Sequence, residues 1–581
     1  MKRLLAMCAV IAALVLPALT PPLSADKGGS GSARLQLVEA TVTELQKALQ
    51  TKLITSEQLV RMYLARIDAY ESTINAFIHL DRDNALAQAR QADALRRPGV
   101  ARSPLYGIPV LLKDNIDTAD MPTTAGSRAL RGSRPPDDAF IAGKLREAGA
   151  IIIGKATLTE FANFIAVGMP TGFSGLGRFG FNPYDPRVDP RDPIPLSATV
   201  SIPNDGRPVL QTGGSSSGSG IGVNANLTTV AIGTETSGSI LSPANANGIA
   251  GIKPTVGLVS RDGIIPITAD QDTAGPLTRT VTDAAILLGA VAGFDPDDSA
   301  TAACLTPGNC FSDYTRFLDK KALKGARLAV FSPATPLAAN RQALLDAAIN
   351  VMRQQGAQVT VLPVDAIPAQ LGSCVTTPLL ASGQCSSVLT YGFKRDLNAY
   401  LAATPAAPEH TLGEVIERNN ELVAIEGQEI ALKYGQQIAL AAQALDTSAN
   451  SADTARYRAD RELDLANSRD VLNAIYNGPD GRRGTSDDVD AIIAVGNTFA
   501  AAPAKAGFPS VTVPGGFMTA IEGVDPPING LFPQTITFSG PAFSEPRLIA
   551  LAYAFEQATQ HRLRHLPPST PPLASDFVTR R

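Results

Sequence analysis

The chain has no Trp, only four His and five Cys among 581 residues, and no excess of either charge, with 50 Lys and Arg against 54 Asp and Glu. A net charge of -4 supplies no broad positive field to hold a phosphate backbone, which argues against a nucleic-acid partner. Aromatic residues are scarce, yet a 44% apolar fraction suits a globular protein and excludes a disordered, collagen-like or coiled-coil chain. No C-x-x-C pair occurs, so metal-ligand spacing of that kind is missing. Long apolar runs are also missing. The one at the start, Leu4 to Leu16, is broken by Pro17, too early for a membrane span of about 20 residues. Lys2 and Arg3 precede it and Leu23-Ser24-Ala25 follows, which predicts a signal peptide over residues 1–25. The expected product is exported, periplasmic or extracellular, with no stable membrane anchor.

Cleavage there leaves Cys304, Cys310, Cys374 and Cys385. An even count in an exported chain favours two disulfides, and local pairs are expected among the three possible connectivities. A Gly/Ser stretch at 28–32 predicts a flexible segment over 26–35, followed by one domain over 36–566 and a Pro/Ser-containing tail over 567–581. Thr41-x-x-Glu44 reads as a capping box, and Leu59, Met62, Leu64 and Ile67 recur at helical spacing. The apolar runs Gly107 to Leu112 and Ala150 to Gly154 read as buried strands, with a helix expected over 139–149 between them. Such alternation predicts an α/β fold. Residues 168–212 read as a Pro-rich surface excursion and 394–476 as a helical insertion bordering a site. The acids of Asp480 to Asp490 lack EF-hand spacing and read as a solvated loop.

The densest signal is GGSSSGSGIGVNANLTTVAIGTETSGSI, Gly213 to Ile240. A linker would not carry Ile221, Val223, Leu227, Val230 and Ile232 at core-like positions. Gly and Ser let a backbone approach a ligand closely and leave N–H groups pointing inward. No Lys follows the Gly-rich turn, so a P-loop is excluded, and Gly175-x-Gly177-x-x-Gly180 lacks the strand that a dinucleotide site requires. Gly214-Ser215-Ser216-Ser217-Gly218 fits G-x-S-x-G, which allows a serine esterase with Ser216 as nucleophile and a His among His410, His561 and His565. With His so scarce, a lysine made neutral by burial becomes an attractive base. Lys113, closing the run before Asp114-Asn115, and Lys253, in Gly251-Ile252-Lys253-Pro254, are the two candidates.

Lys113-Asp114-Asn115, Pro122 to Ser127, GGSSSGSG, GTETSGSI, GIKPTVGLVSRDGIIP and DTAGPLTRTVTDAA together resemble the amidase signature family, closest to the branch of peptide and exported amidases. The resemblance implies a twisted mixed β-sheet flanked by helices, and hydrolysis of a small-molecule or peptide carboxamide without metal or organic cofactor. By position it implies a Ser-cisSer-Lys triad of Ser239, Ser215 and Lys113. In that triad Ser239 attacks and Ser215 relays its proton to Lys113. It also implies oxyanion donors on the backbone of Thr236, Ser237, Gly238 and Ser239, with Ser216 supporting Lys113 and Glu235 as a buried acceptor. Ser217 and Ser237 stand where many relatives have Gly, Glu235 where many have Asp, and Leu241 where many have Arg, so substrate preference does not carry over. The esterase and a non-catalytic exported binding protein are the alternatives.

Overall fold

The computed structural model describes residues 34–97, 102–195, 200–375, 384–520 and 526–579. The signal peptide expected over 1–25 lies outside them. In chain order the strands of the main sheet are β1 (Phe77–Leu80), β2 (Pro109–Lys113), β3 (Ile151–Ala156), β4 (Val230–Glu235), β5 (Ala250–Lys253), β6 (Thr273–Thr278), β7 (Arg327–Val330), β8 (Gln358–Val361), β9 (Ala491–Val495), β10 (Ser510–Thr519) and β11 (Leu531–Ser539). They pair in the order β8-β7-β9-β11-β10-β5-β6-β4-β2-β3-β1. β2 runs parallel to both β3 and β4, while β6 lies antiparallel to β4 and β5. The sheet is therefore mixed, and helices flank it.

β2, β3 and β4 are buried along their whole length. Parallel strands covered on both faces need apolar side chains in both directions, which explains why PVLL and III read as continuous runs rather than alternating ones. Helix α1 (Ser56–Ile74) buries Leu59, Met62, Leu64 and Ile67, and the Thr41–Glu44 capping box opens the helix Val42–Gln50 before it. Of the helices that matter to the site, α2 is Ser217–Asn224, α3 Leu241–Asn247, α4 Val388–Ala402, α5 Leu412–Glu426, α6 Gln437–Gln443 and α7 Ala452–Leu465. α4 to α6 share an apolar cluster with Phe161, Phe164, Phe173, Ile265 and Ile267, so this part of the helical insertion packs on loops, while Leu472 and Tyr476 at its end pack against Ala329, Ile492 and Ala494 of the sheet.

The Pro-rich excursion is held by apolar packing of Tyr184, Val209 and Leu210 and by charge pairs. Asp185, Asp189 and Asp205 each hold the guanidinium two residues on, Arg187, Arg191 and Arg207, at 2.6–2.7 Å. Cys304 pairs with Cys310 and Cys374 with Cys385, the local connectivity expected. Arg34 and Leu35, expected in a flexible segment, instead form a strand with Gln36 that pairs antiparallel with Phe577–Thr579. This closure is anchored in the core. Arg66 is 0% exposed and donates to Asp576 at 2.6 Å and to the carbonyls of Ala225, Asn226 and Thr570. Breaking a buried ion pair from one side leaves a charge without compensation, so Asp576→Ala is expected to lower unfolding free energy by about 3–5 kcal/mol. Replacing both partners, Arg66→Met with Asp576→Leu, should cost less than Asp576→Ala alone. Urea denaturation of the two variants checks this, and equal losses would refute it.

Candidate active site

β2 and its parallel neighbour β4 end at the same edge of the sheet, which brings Lys113 beside Thr234 and Glu235. Lys113 is 0% exposed, and its Nζ donates to Ser215 Oγ at 2.8 Å and to Thr234 Oγ1 at 2.8 Å. Asn115 Nδ2 donates to the same Thr234 hydroxyl at 3.1 Å. Ser215 follows a cis peptide after Gly214, just ahead of α2. The two glycines before it are required by space. A Cβ on Gly213, whose φ is +67°, would meet Ser242 O at 2.5 Å, and one on Gly214 would meet Thr159 Oγ1 at 2.6 Å.

Asp114 does not hold the Lys113 charge. Its carboxylate accepts from Thr124 and lies 3.7 Å from the buried Lys155 Nζ. Lys113 touches only hydroxyls and a carbonyl, and burial pushes its pKa down to about 7 against the pull of Asp272 and Glu235. Lys253, the rival lysine, donates to the carbonyls of Phe508 and Pro254 and reaches no serine.

Ser239 lies beyond β4 and is 7% exposed. Its carbonyl accepts from Ser216 N at 3.3 Å, which ties it to the Ser215 turn. The four expected oxyanion donors are not equivalent. Gly238 N donates to Glu235 Oε1 at 2.7 Å, so it is already committed, whereas Thr236, Ser237 and Ser239 N–H have no backbone partner among the described residues. Glu235 also takes the amides of Ile240 and Leu241, which occupies the start of α3 and makes this carboxylate the brace of the turn.

Ser216 does not bond Lys113 directly. Its hydroxyl donates to Thr234 O at 3.1 Å and accepts from Thr234 N at 3.2 Å, so any support it gives the lysine passes through Thr234. The same bonds remove it as an esterase nucleophile, since no His comes near. His410 faces Leu401 O, His561 packs on Phe555 and His565 on Phe517. Gly175 and its neighbours lie in a loop braced by Glu160, with no strand leading into a dinucleotide turn. Thr234 and Asp272 fall inside the stretches GTETSGSI and DTAGPLTRTVTDAA, and Gln271 just before the second, but the motifs alone do not tell which polar side chains meet one another.

The folded chain holds the Lys113 proton less tightly than the unfolded chain. The buried ammonium therefore costs stability in full below about pH 7, and the cost fades as pH rises toward 10.5. Lys113→Met is expected to raise the urea midpoint most near pH 6 and least near pH 10, values that bracket this window at about one unit outside and just inside it. A gain that does not vary with pH would refute the neutral amine.

The Amidase family profile matches residues 58–445. The chain is 38% identical over 537 residues, 91% of each chain, to the protein named "Probable amidase" from Arabidopsis thaliana. It is also similar to the native peptide amidase from Stenotrophomonas maltophilia, with 37% identity, a TM-score of 0.75, and 92% of this chain and 99% of that one covered. A peptide amidase structure in complex with the competitive inhibitor chymostatin gives 36% identity and a TM-score of 0.72 over 91% of this chain and 99% of the other. These matches set aside the non-catalytic binding protein along with the esterase. A profile over two thirds of the chain, full-length relatives and a shared fold agree, and the chain belongs to the amidase signature family as an amidase acting on linear amide C–N bonds.

Proposed function

We propose that the protein hydrolyses a peptide carboxamide through a Ser239–Ser215–Lys113 relay. The observation that carries this reading is the fully buried Lys113 amine 2.8 Å from Ser215 Oγ. Ser239 Oγ bonds to the carbonyl carbon while its proton moves to Ser215, whose own proton moves to Lys113. The oxyanion is held by the N–H groups of Thr236, Ser237 and Ser239. When the C–N bond breaks, the proton returns by way of Ser215 to the leaving nitrogen, giving ammonia or an amine and acyl-Ser239. Water then attacks the ester by the same relay and frees the carboxylate. The amine must be neutral at the start, and its low pKa makes that form abundant at neutral pH.

The substrate class rests on similarity to peptide amidases along nearly their whole length and on the apolar wall that Phe161, Phe164, Phe173, Ile265 and Ile267 build with the insertion. Leu241, buried at the start of α3, supplies no charge there. Export is supported by the leader-like start of the sequence and by the two disulfides, which persist in oxidising compartments.

A serine-directed sulfonyl fluoride should label Ser239, as read by mass spectrometry, and label on Ser216 would sink the relay. Lys113→Ala should reduce ammonia release from peptide amides by at least about 10²-fold, the lower range for a lost acid–base group. His561→Ala and His565→Ala should leave it nearly intact. The wild-type kcat/KM should rise with pH through about 7 as Lys113 loses its proton.

A further inference from the structure

The loop from Ile267 to Asp272 is gripped from two sides. From the helical insertion, Arg395 on α4 and Tyr457 on α7 bond the Asp270 carboxylate at 2.9–3.2 Å, Arg461 donates to Asp270 O at 3.1 Å, and Asp396 accepts from Ala269 N at 2.8 Å. Toward the active site, Gln271 Nε2 donates to Thr236 O at 3.2 Å and Asp272 Oδ1 accepts from Thr236 Oγ1 at 2.5 Å. The other Asp272 oxygen accepts the amides of Ile267 and Thr268, which closes the loop on itself. Asp272 lines a small cavity with Asn115, Thr234 and Thr236, directly behind the hydroxyl that holds Lys113. Asn115 Oδ1, 2% exposed, has no partner there.

We propose that Asp272 is a positioning residue for amide hydrolysis, tying the strand end that carries the oxyanion donors to the loop held by the helical insertion and supplying negative charge to the Lys113 ammonium. The inference rests on the reading of Lys113 as the base. Two functions meet in one carboxylate. Its hydrogen bonds hold Thr236 in place, and its charge, together with that of Glu235, acts on the Lys113 amine. The charges acting on Asp272 itself are Lys113, Arg261 across the cavity and Asp396 on α4. Burial raises its pKa to about 6, so it is mostly ionised where the enzyme would work.

The test is the pH dependence of kcat and KM for a peptide amide with wild type, Asp272→Asn, Thr236→Val and Thr236→Ser. Asp272→Asn keeps the shape and removes the charge, so the ammonium loses support and the acid limb of kcat/KM should move down by about one pH unit or more. Thr236→Val cuts the tie and should lower kcat by about ten- to a hundredfold with KM little changed, as a displaced donor does, whereas Thr236→Ser should recover most of the loss. Thermal melts identify a variant that fails to fold, and the Thr236 pair stands if Asp272→Asn does. An acid limb present in wild type but unmoved in Asp272→Asn overturns this proposal alone, as does a Thr236→Val enzyme at wild-type speed. A wild type with no single-proton acid limb removes the Lys113 reading and this inference with it.

Discussion

A lysine amine sealed from water, in contact with hydroxyls and a carbonyl but with no carboxylate, is the constraint on which this site depends. An isolated charge there is expensive, so burial lowers the pKa of the group to about 7. Three acids lie close enough to undo this, and each is occupied elsewhere. Glu235 is spent on three backbone amides, Asp114 turns to Thr124 and Lys155, and Asp272 is held by Thr236 and two amides. Much of the polar architecture around β2 and β4 can be read as the arrangement that keeps negative charge nearby without letting it touch the amine.

The parts of the fold visible in the sequence were those whose physics is local. Continuous apolar runs marked β2 and β3, the Thr41–Glu44 box marked a helix start, and the Gly/Ser density marked close backbone approach at Gly213 and Gly214. A strand such as β6, with its internal Pro276, carries no clean period and is set by its neighbours in the sheet. At the site, Lys113, Ser215 and Ser239 were reachable through motif resemblance. The commitment of Gly238 N–H to Glu235 was not, since it depends on how a turn folds back on a side chain three residues earlier. Lys113 and Lys253 were likewise indistinguishable by spacing and are separated only by which one meets a serine.

The Pro-rich excursion and the helical insertion obey different rules. The excursion over 168–212 is held by contacts between residues two apart, Asp to Arg, and by Tyr184, Val209 and Leu210, which pack with Phe517 of β10 and Phe532 of β11. The insertion instead reaches inward, with Tyr400 donating to Asp117 at 2.8 Å and Phe393 packing edge-on against Phe161 and Phe164. Changes in the insertion reach the loops beneath.

The short ladder between residues 34–36 and 577–579 puts Arg34 opposite Thr579. A few added residues joining these neighbours would give a closed ring of peptide, and the backbone could then be reopened at an exposed loop tip such as that around Gly308. The order in which the segments are synthesised is thus separable from the order in which they pack, and a rearranged chain of this kind would carry its serine-rich turn and its lysine in new sequence positions but in the same place.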